Sequence, residues 1–264
     1  MNSPPVVLTI AGFDPSSGAG ITADIKTIAA QGCYGVACIT ALTVQSTRGV
    51  KRVEWVSPMV LSESLNELTQ DMEIRAVHIG MLGNGESAKV VAEFMGKRRL
   101  PNVVLDPILK SSSGTDLLDR DGQEILKTRL LPLVDLITPN VDEAAALTGM
   151  PVTNLDQMHK AADKLHSMGA KALVITGGHL EKATDLLSIA GGVKKVLSAE
   201  RIPSKSTHGT GCAFATALVC QLALGKKLEE AVQLAKIYVG EAIAHAHPVG
   251  SGSGPLNHFY QFKK

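Results

Sequence analysis

Apolar stretches rich in β-branched residues alternate with helical patterns along the whole chain. VVLTIAG precedes GITADIKTIAAQG, GVACITALTV precedes SPMVLSESLNELTQDM, AVHIGML precedes ESAKVVAEFMGK, and NVVLDPI precedes a helix from about Asp121. The pattern continues with LVDLITPN before NVDEAAALTG and with KALVITGG after LDQMHKAADKLHSMG. Strands of this kind, separated by amphipathic helices, predict a parallel sheet covered on both faces. Ser57-Pro58 and Asn154-Leu155-Asp156 mark helix starts, and Gly32, Gly149 and Gly169 mark helix stops. DLLSIAGG and KKVLSAERI predict a hairpin or sheet edge, and two long helices follow near 210–224 and 228–246.

No repeat or low-complexity linker divides the chain, so residues 1–264 read as one α/β domain, and 45% apolar residues are ample for its core. The formal net charge is +1 and only 3% of residues are aromatic. Lys97-Arg98-Arg99 and Lys194-Lys195 are short, isolated runs, which argues against a nucleic-acid surface. MNSPPVVLTIAG lacks the plan of a signal segment, and no apolar run reaches the roughly 18 residues of a membrane span. Cys33, Cys38, Cys212 and Cys220 form no CxxC pair, and three of them read as core filler. These features predict a cytoplasmic protein with neither a nucleic-acid nor a membrane partner.

In an open α/β sheet, ligands collect outside the carboxyl ends of the strands. Those ends read AGFDPSSGAG, TALTVQSTRG, HIGML, LDPILKSSSG, TPN, TGGH and HGTGC. Glycine-rich turns suggest phosphate, yet no GxxxxGK[ST] occurs, and neither AGFDPSSGAG nor GSGSGP satisfies GxGxxG between a strand and a helix. HGTGC remains. Its glycines Gly209 and Gly211 flank Thr210 at a helix start, where orphan amides and the helix dipole favour an anion. A tight turn with close helix packing explains the same glycines equally well.

AGFDPSSGAG, TALTVQSTRGV, IGML, LDPI, TPNVDEA, TGGH and THGTGC, in that order, resemble the hydroxymethylpyrimidine and phosphomethylpyrimidine kinases of thiamine biosynthesis, in the ribokinase-like superfamily. The resemblance runs from about Val6 to the closing GPLNHF. It implies a three-layer α/β/α sandwich with a central, mostly parallel sheet, and transfer of the γ-phosphoryl group of ATP with Mg²⁺ to an aminopyrimidine alcohol and then to its monophosphate. A homodimer is also implied. By position, Ala19, Thr43, Gln45, Met81 and Ile108 would surround the pyrimidine, with Asp24 a further pocket residue. The carboxamide of Gln45 offers a donor beside an acceptor, which matches a ring nitrogen and its neighbouring amino group.

Asn140 and Glu143, spaced NxxE, resemble the superfamily pair that organises Mg²⁺ and phosphate, and Asp106 is a second candidate for the metal. Asn140 and Glu143 equally fit a helix capping box. The nucleotide side would involve Asn140, Thr176, Gly178 and His208, with His208 either contacting phosphate or holding the turn. His245 and His247 look like a metal pair but lie two apart at a helix end, where they would not share a face. Two features depart from the resembling enzymes. Thr176 stands where many of them have a lysine before GGH, and LDPILKSSSG replaces their AKSG form. Gly209, Thr210, Gly211 and Cys212 make up the expected catalytic segment. Cys212 occupies the position of the proton acceptor in related sugar kinases, and a helix start favours its thiolate while an arriving triphosphate opposes it. A pyridoxal kinase of the same superfamily, or a pyrimidine sensor with little turnover, are the alternative functions.

Overall fold

The computed structural model describes residues 3–111, 114–178 and 183–262. Ser112 and Ser113 of LDPILKSSSG, and His179 of TGGH, lie outside the described residues. The chain forms one nine-stranded sheet between two helical layers, as the alternation predicts. In chain order its elements begin β1 (Val6–Phe13), α1 (Gly20–Ala30), β2 (Tyr34–Ser46), β3 (Gly49–Trp55), α2 (Pro58–Asp71), β4 (Ile74–Ile79), α3 (Gly85–Lys97) and β5 (Val103–Leu105). They continue with α4 (Arg120–Ile125), β6 (Leu136–Ile137), α5 (Val141–Thr148), α6 (Leu155–Ser167), β7 (Ala172–Ile175), β8 (Ala183–Ile189), β9 (Lys194–Ala199), α7 (Thr210–Ala223) and α8 (Leu228–Ala244). The strand order is β3-β2-β1-β4-β5-β6-β7-β8-β9. All pairs from β2 to β7 are parallel, and β3, β8 and β9 join antiparallel at the edges.

Local chemistry explains where the helices start and stop. Ser57, Asn84, Asp119, Asn140 and Asn154 each accept an amide of the first turn that follows, and Gly149 closes α5 in the left-handed conformation. The sequence pattern does not predict β3. Its positions 51, 52, 54 and 55 are exposed and carry charge or the rim of Trp55, a common guise of an edge strand, so the apolar alternation is too faint to read.

On one face of the sheet, Leu8, Ile10, Val77, Ile79 and Leu105 pack against the layer containing α2, α3, α5 and α6. On the other, Val7, Ala76, Val104 and Val174 meet α7 and α8, with α1 packed alongside. The chain leaves β1 toward β2 on one side and reaches β4 on the other. The order therefore switches at the carboxyl ends of β1 and β4, the place where such sheets open a crevice.

The C-terminal segment locks α1 to α8. Thr27 Oγ1 lies 3.0 Å from His258 Nδ1, and the Tyr238 hydroxyl donates to the His258 carbonyl at 2.9 Å. Burial, reinforced by the Lys26 charge, pushes the imidazole down to about 4. A base whose folded pKa is depressed contributes stability that is complete above its unfolded value of about 6.5 and lost as pH falls through the folded one. Up to about 3 kcal/mol is at stake. We expect His258→Asn, which keeps a polar partner for Thr27, to flatten the fall in melting temperature between pH 7 and pH 4. Parallel curves for variant and parent in calorimetry would refute this account.

Candidate active site

Two helix starts meet at the switch point. Neither Ala19 before α1 nor Gly209 before α7 caps its helix through a side chain. Gly209 adopts φ +80°, and a Cβ there would lie 1.9 Å from the Gly18 carbonyl oxygen. The first-strand loop thus rests directly on the start of α7, where Thr210 N donates to the Thr207 carbonyl at 3.3 Å and Gly211 is exposed. The helix dipole adds positive potential at the same point.

Beneath this start sits Cys212, buried close to the Asp106 carboxylate and the Gly20 amide. The sequence favours a thiolate here, and the structure corrects that expectation. Burial and the charges of Asp106 and Asp24 push the thiol well above its ordinary value and outweigh the local dipole. Asp106 is itself buried, with Oδ2 lacking a partner among the described residues. Burial raises it to about 6 despite the opposing influence of His78 and bonds from Cys212 and Thr138.

Asn140 and Glu143 do form the capping box. Asn140 N donates to Glu143 Oε2 and Glu143 N to Asn140 Oδ1, both at 2.9 Å. Burial and the Asp106 charge nevertheless push Glu143 up to about 8. Two enclosed carboxylates that repel each other, one with an orphaned oxygen, suit a hard cation that uses one or two carboxylates and keeps its waters. Three or more ligating side chains do not converge anywhere among the described residues, His245 and His247 included.

Thr43, Gln45, Ala19 and His208 come together on the other side of the loop. Thr43 Oγ1 lies 3.1 Å from Gln45 Oε1, and Gln45 Nε2 lies 3.2 Å from His208 Nε2. Met81 and Ile108 pack with Ala41, Leu117 and Val53 in a small apolar cluster at the strand ends. His208 holds the turn, with its Nε2 2.8 Å from Asp14 Oδ2. Thr176 bridges Asn140, linking the ends of β6 and β7. Next to it, Gly177 N donates to Asp185, which Lys236 neutralises, and Arg201 donates to the Gly178 carbonyl at 2.5 Å. Cationic side chains therefore border the Thr176 turn although position 176 itself lacks one.

Asp24 is the clearest correction. It is not a pocket residue: fully buried, it accepts from Thr9 Oγ1 at 2.7 Å and Thr216 Oγ1 at 2.8 Å and pairs with His78 Nδ1 at 3.3 Å. Burial disfavours charge on His78, yet Asp24 and Asp106 hold its pKa above the ordinary histidine value. The sequence reading also misses Asp14 and His78. The Asp-Pro-Ser run in AGFDPSSGAG is a signal for Asp14, since such a side chain readily takes the amides that follow it, here Ser16 N at 2.8 Å and Ala19 N at 3.0 Å. His78, in the middle of an apolar strand, carries no comparable mark.

A glycine-led helix start suited to an anion, near a carboxamide and a small apolar cluster at the strand ends, fits a small-molecule phosphotransferase, and the layered sheet is that of the ribokinase-like class. The chain belongs to the phosphomethylpyrimidine kinase family, whose model matches residues 14–257. The hydroxymethylpyrimidine/phosphomethylpyrimidine kinase of Haemophilus influenzae is 40% identical over 258 residues, 96% of each chain. The thiamine biosynthesis bifunctional protein ThiED of Geobacter sulfurreducens is 42% identical over 254 residues, and the chain spans about half of it, 52%. Among solved structures, the phosphomethylpyrimidine kinase of Clostridium difficile superposes with a TM-score of 0.81 at 38% identity, covering 90% of this chain and 99% of that one. The ADP complex of pyridoxal kinase from Staphylococcus aureus gives 0.90 at 31% identity, covering 99% and 96%.

Proposed function

We propose that this protein phosphorylates 4-amino-5-hydroxymethyl-2-methylpyrimidine and then its monophosphate, with ATP as donor, in thiamine biosynthesis. Family membership sets the class of reaction, and relatives that carry the hydroxymethylpyrimidine/phosphomethylpyrimidine kinase name support the substrate. The observation that carries the reading is the run of contacts from Gln45 through His208 to the start of α7, where a Cβ on Gly211 would lie 3.9 Å from Asp106 Oδ2. The hydroxyl of a substrate whose ring is held by Gln45 and the Met81–Ile108 floor would lie within reach of an anion at the Gly209–Thr210–Gly211 helix start.

Phosphoryl transfer passes through a loose transition state, so positioning and charge stabilisation carry most of the catalysis. The helix start supplies fixed donors for the equatorial oxygens. As ATP and a cation bind, the Cys212 thiol would release its proton to solvent, and the resulting thiolate would take the substrate's hydroxyl proton late in the transfer. Asp106 and Glu143, with Asn140 orienting Glu143, would hold Mg²⁺, which neutralises phosphate charge when bound. Thr176 and Gly178 would border the nucleotide, with Lys236 and Arg201 as neighbouring cations. Buried, unpaired cysteines support a cytoplasmic setting, and the exposed apolar residues Leu42, Val44 and Trp55 on the β2–β3 hairpin support a homodimer.

ADP release measured with ATP, Mg²⁺ and the aminopyrimidine tests the reading, with pyridoxal as comparator. Turnover should be faster on the pyrimidine, and absence of ADP formation on it would defeat the proposal. In the same assay we expect Glu143→Gln to raise the Mg²⁺ concentration for half-maximal rate several-fold, because a carboxamide cannot ionise to meet a cation as Glu143 can, yet is still able to cap α5. An earlier melting transition with an unmoved Mg²⁺ curve would leave Glu143 only its capping role.

A further inference from the structure

The hydrogens around Gln45 decide which end of its amide is oxygen. Thr43 has one hydroxyl hydrogen, which goes to the Phe13 carbonyl at 2.9 Å, so it has none for Gln45 Oε1. His208 Nε2 faces a carboxylate oxygen of Asp14 at 2.8 Å and must carry a hydrogen there, so it has no lone pair for the Gln45 amino group. Rotating the amide by half a turn removes both conflicts together. Gln45 Nε2 then donates to Thr43 Oγ1, and Gln45 Oε1 accepts a share of the His208 N–H. Oxygen and nitrogen of a carboxamide are distinguished by this bookkeeping of partners.

The chain of reasons leads back to Asp14. Its Oδ1 accepts from Ser16 N and Ser16 Oγ, and its Oδ2 from Ala19 N and His208, so it has no freedom to turn away. Burial would raise its pKa, but the bonds from His208 and Ser16 hold it below the usual carboxylate value, as an anion requiring a donor. A Cβ on Gly18 would meet the His208 ring at 2.2 Å, so the ring is also confined by the loop that Asp14 organises.

We propose that Asp14 is a positioning residue for substrate specificity: through His208 it fixes which end of the Gln45 amide is oxygen. An amide has two hydrogens and two oxygen lone pairs. Thr43 and His208 take one of each, and the remaining N–H and lone pair face a ligand in a fixed order. The ring that fits presents an acceptor to the nitrogen end and a donor to the oxygen end, as an aminopyrimidine does. Its oxo analogue, with a ring N–H beside a carbonyl, presents the reverse order and is rejected. This inference rests on the reading that Gln45 contacts the pyrimidine ring.

The experiment compares kcat/KM for 4-amino-5-hydroxymethyl-2-methylpyrimidine with that for its 4-oxo analogue, in the parent and in Asp14→Asn, His208→Phe, Ser16→Ala and Gln45→Ala. The ratio for one enzyme sample is independent of how much of it is folded. The parent should prefer the amino compound by about 10- to 100-fold, the range of one two-point hydrogen-bond match. In Asp14→Asn and His208→Phe the amide is released, so the oxo compound should gain several-fold in kcat/KM while the amino compound loses. A variant that merely loosens the loop gains nothing, and Ser16→Ala should keep the parent's preference. Loss of preference in Gln45→Ala alone, with Asp14→Asn and His208→Phe unchanged, would overturn the positioning role but leave the Gln45 contact standing. An undiminished preference in Gln45→Ala would overturn the contact and the inference with it. Equal loss in Ser16→Ala would assign the effect to loop order and likewise overturn the inference.

Discussion

Gly209→Ala should lower kcat at least 10²-fold to 10³-fold, the cost of misplacing a donor that stabilises transition-state charge. Two penalties combine at this residue. A side chain strains the left-handed backbone at φ +80° by roughly 1 kcal/mol. The larger one is steric: the new Cβ would lie 1.9 Å from the Gly18 carbonyl oxygen, a rigid backbone atom, so the start of α7 must move. Gly225 separates the two, since it has φ +83° and open space around its missing Cβ. Gly225→Ala should cost stability alone, with kcat unchanged. If Gly209→Ala retains full kcat, the amides of this helix start do not carry the reaction.

Cys212→Ser should reduce kcat by about 10² to 10⁴-fold, the range for loss of a general base, with the affinity for the pyrimidine nearly intact. The buried thiol is neutral in the free protein, because burial and the neighbouring carboxylates disfavour its anion. It therefore serves only after phosphate and cation have altered the local charge, late in the transfer. A serine hydroxyl is a still weaker acid and cannot follow the same course. Single-turnover rates and separate titration of the pyrimidine distinguish the outcomes. An undiminished rate would reduce Cys212 to a space-filling residue on which the helix start rests.

The layers and the order of most elements are legible in the sequence because they depend on local signals. Caps such as Ser57 and Asn154, and left-handed stops such as Gly149, act within a few residues of where they are written. The site is less legible because its partners are distant in sequence. Asp24 reads as an acid near a helix start, yet its environment comes from Thr9, His78 and Thr216, the last of these 192 residues away. Cys212 shows the same limit in its electrostatics. The dipole belongs to its own helix and is visible in HGTGC, whereas the burial that overrules it comes from the fold and the carboxylates that assist come from the residue after β5 and from α1. His208 and Asp14, 194 residues apart, meet only in the fold.

The pairing of Asp24 with Thr216 also has a consequence for how the protein is made. A ribosome releases chain from its N-terminal side, so the central strand β1 and helix α1 emerge before α7. Their polar cluster around Asp24 and His78 is roofed by α7, whose Thr216 lies 192 residues beyond Asp24 and so is translated much later. Until then a carboxylate and an imidazole destined for a dry interior remain in water, and the sheet face that α7 covers is bare. Chains halted near residue 200 should therefore linger as chaperone clients and protease substrates, and commitment to the native state should coincide with the exit of α7 from the tunnel.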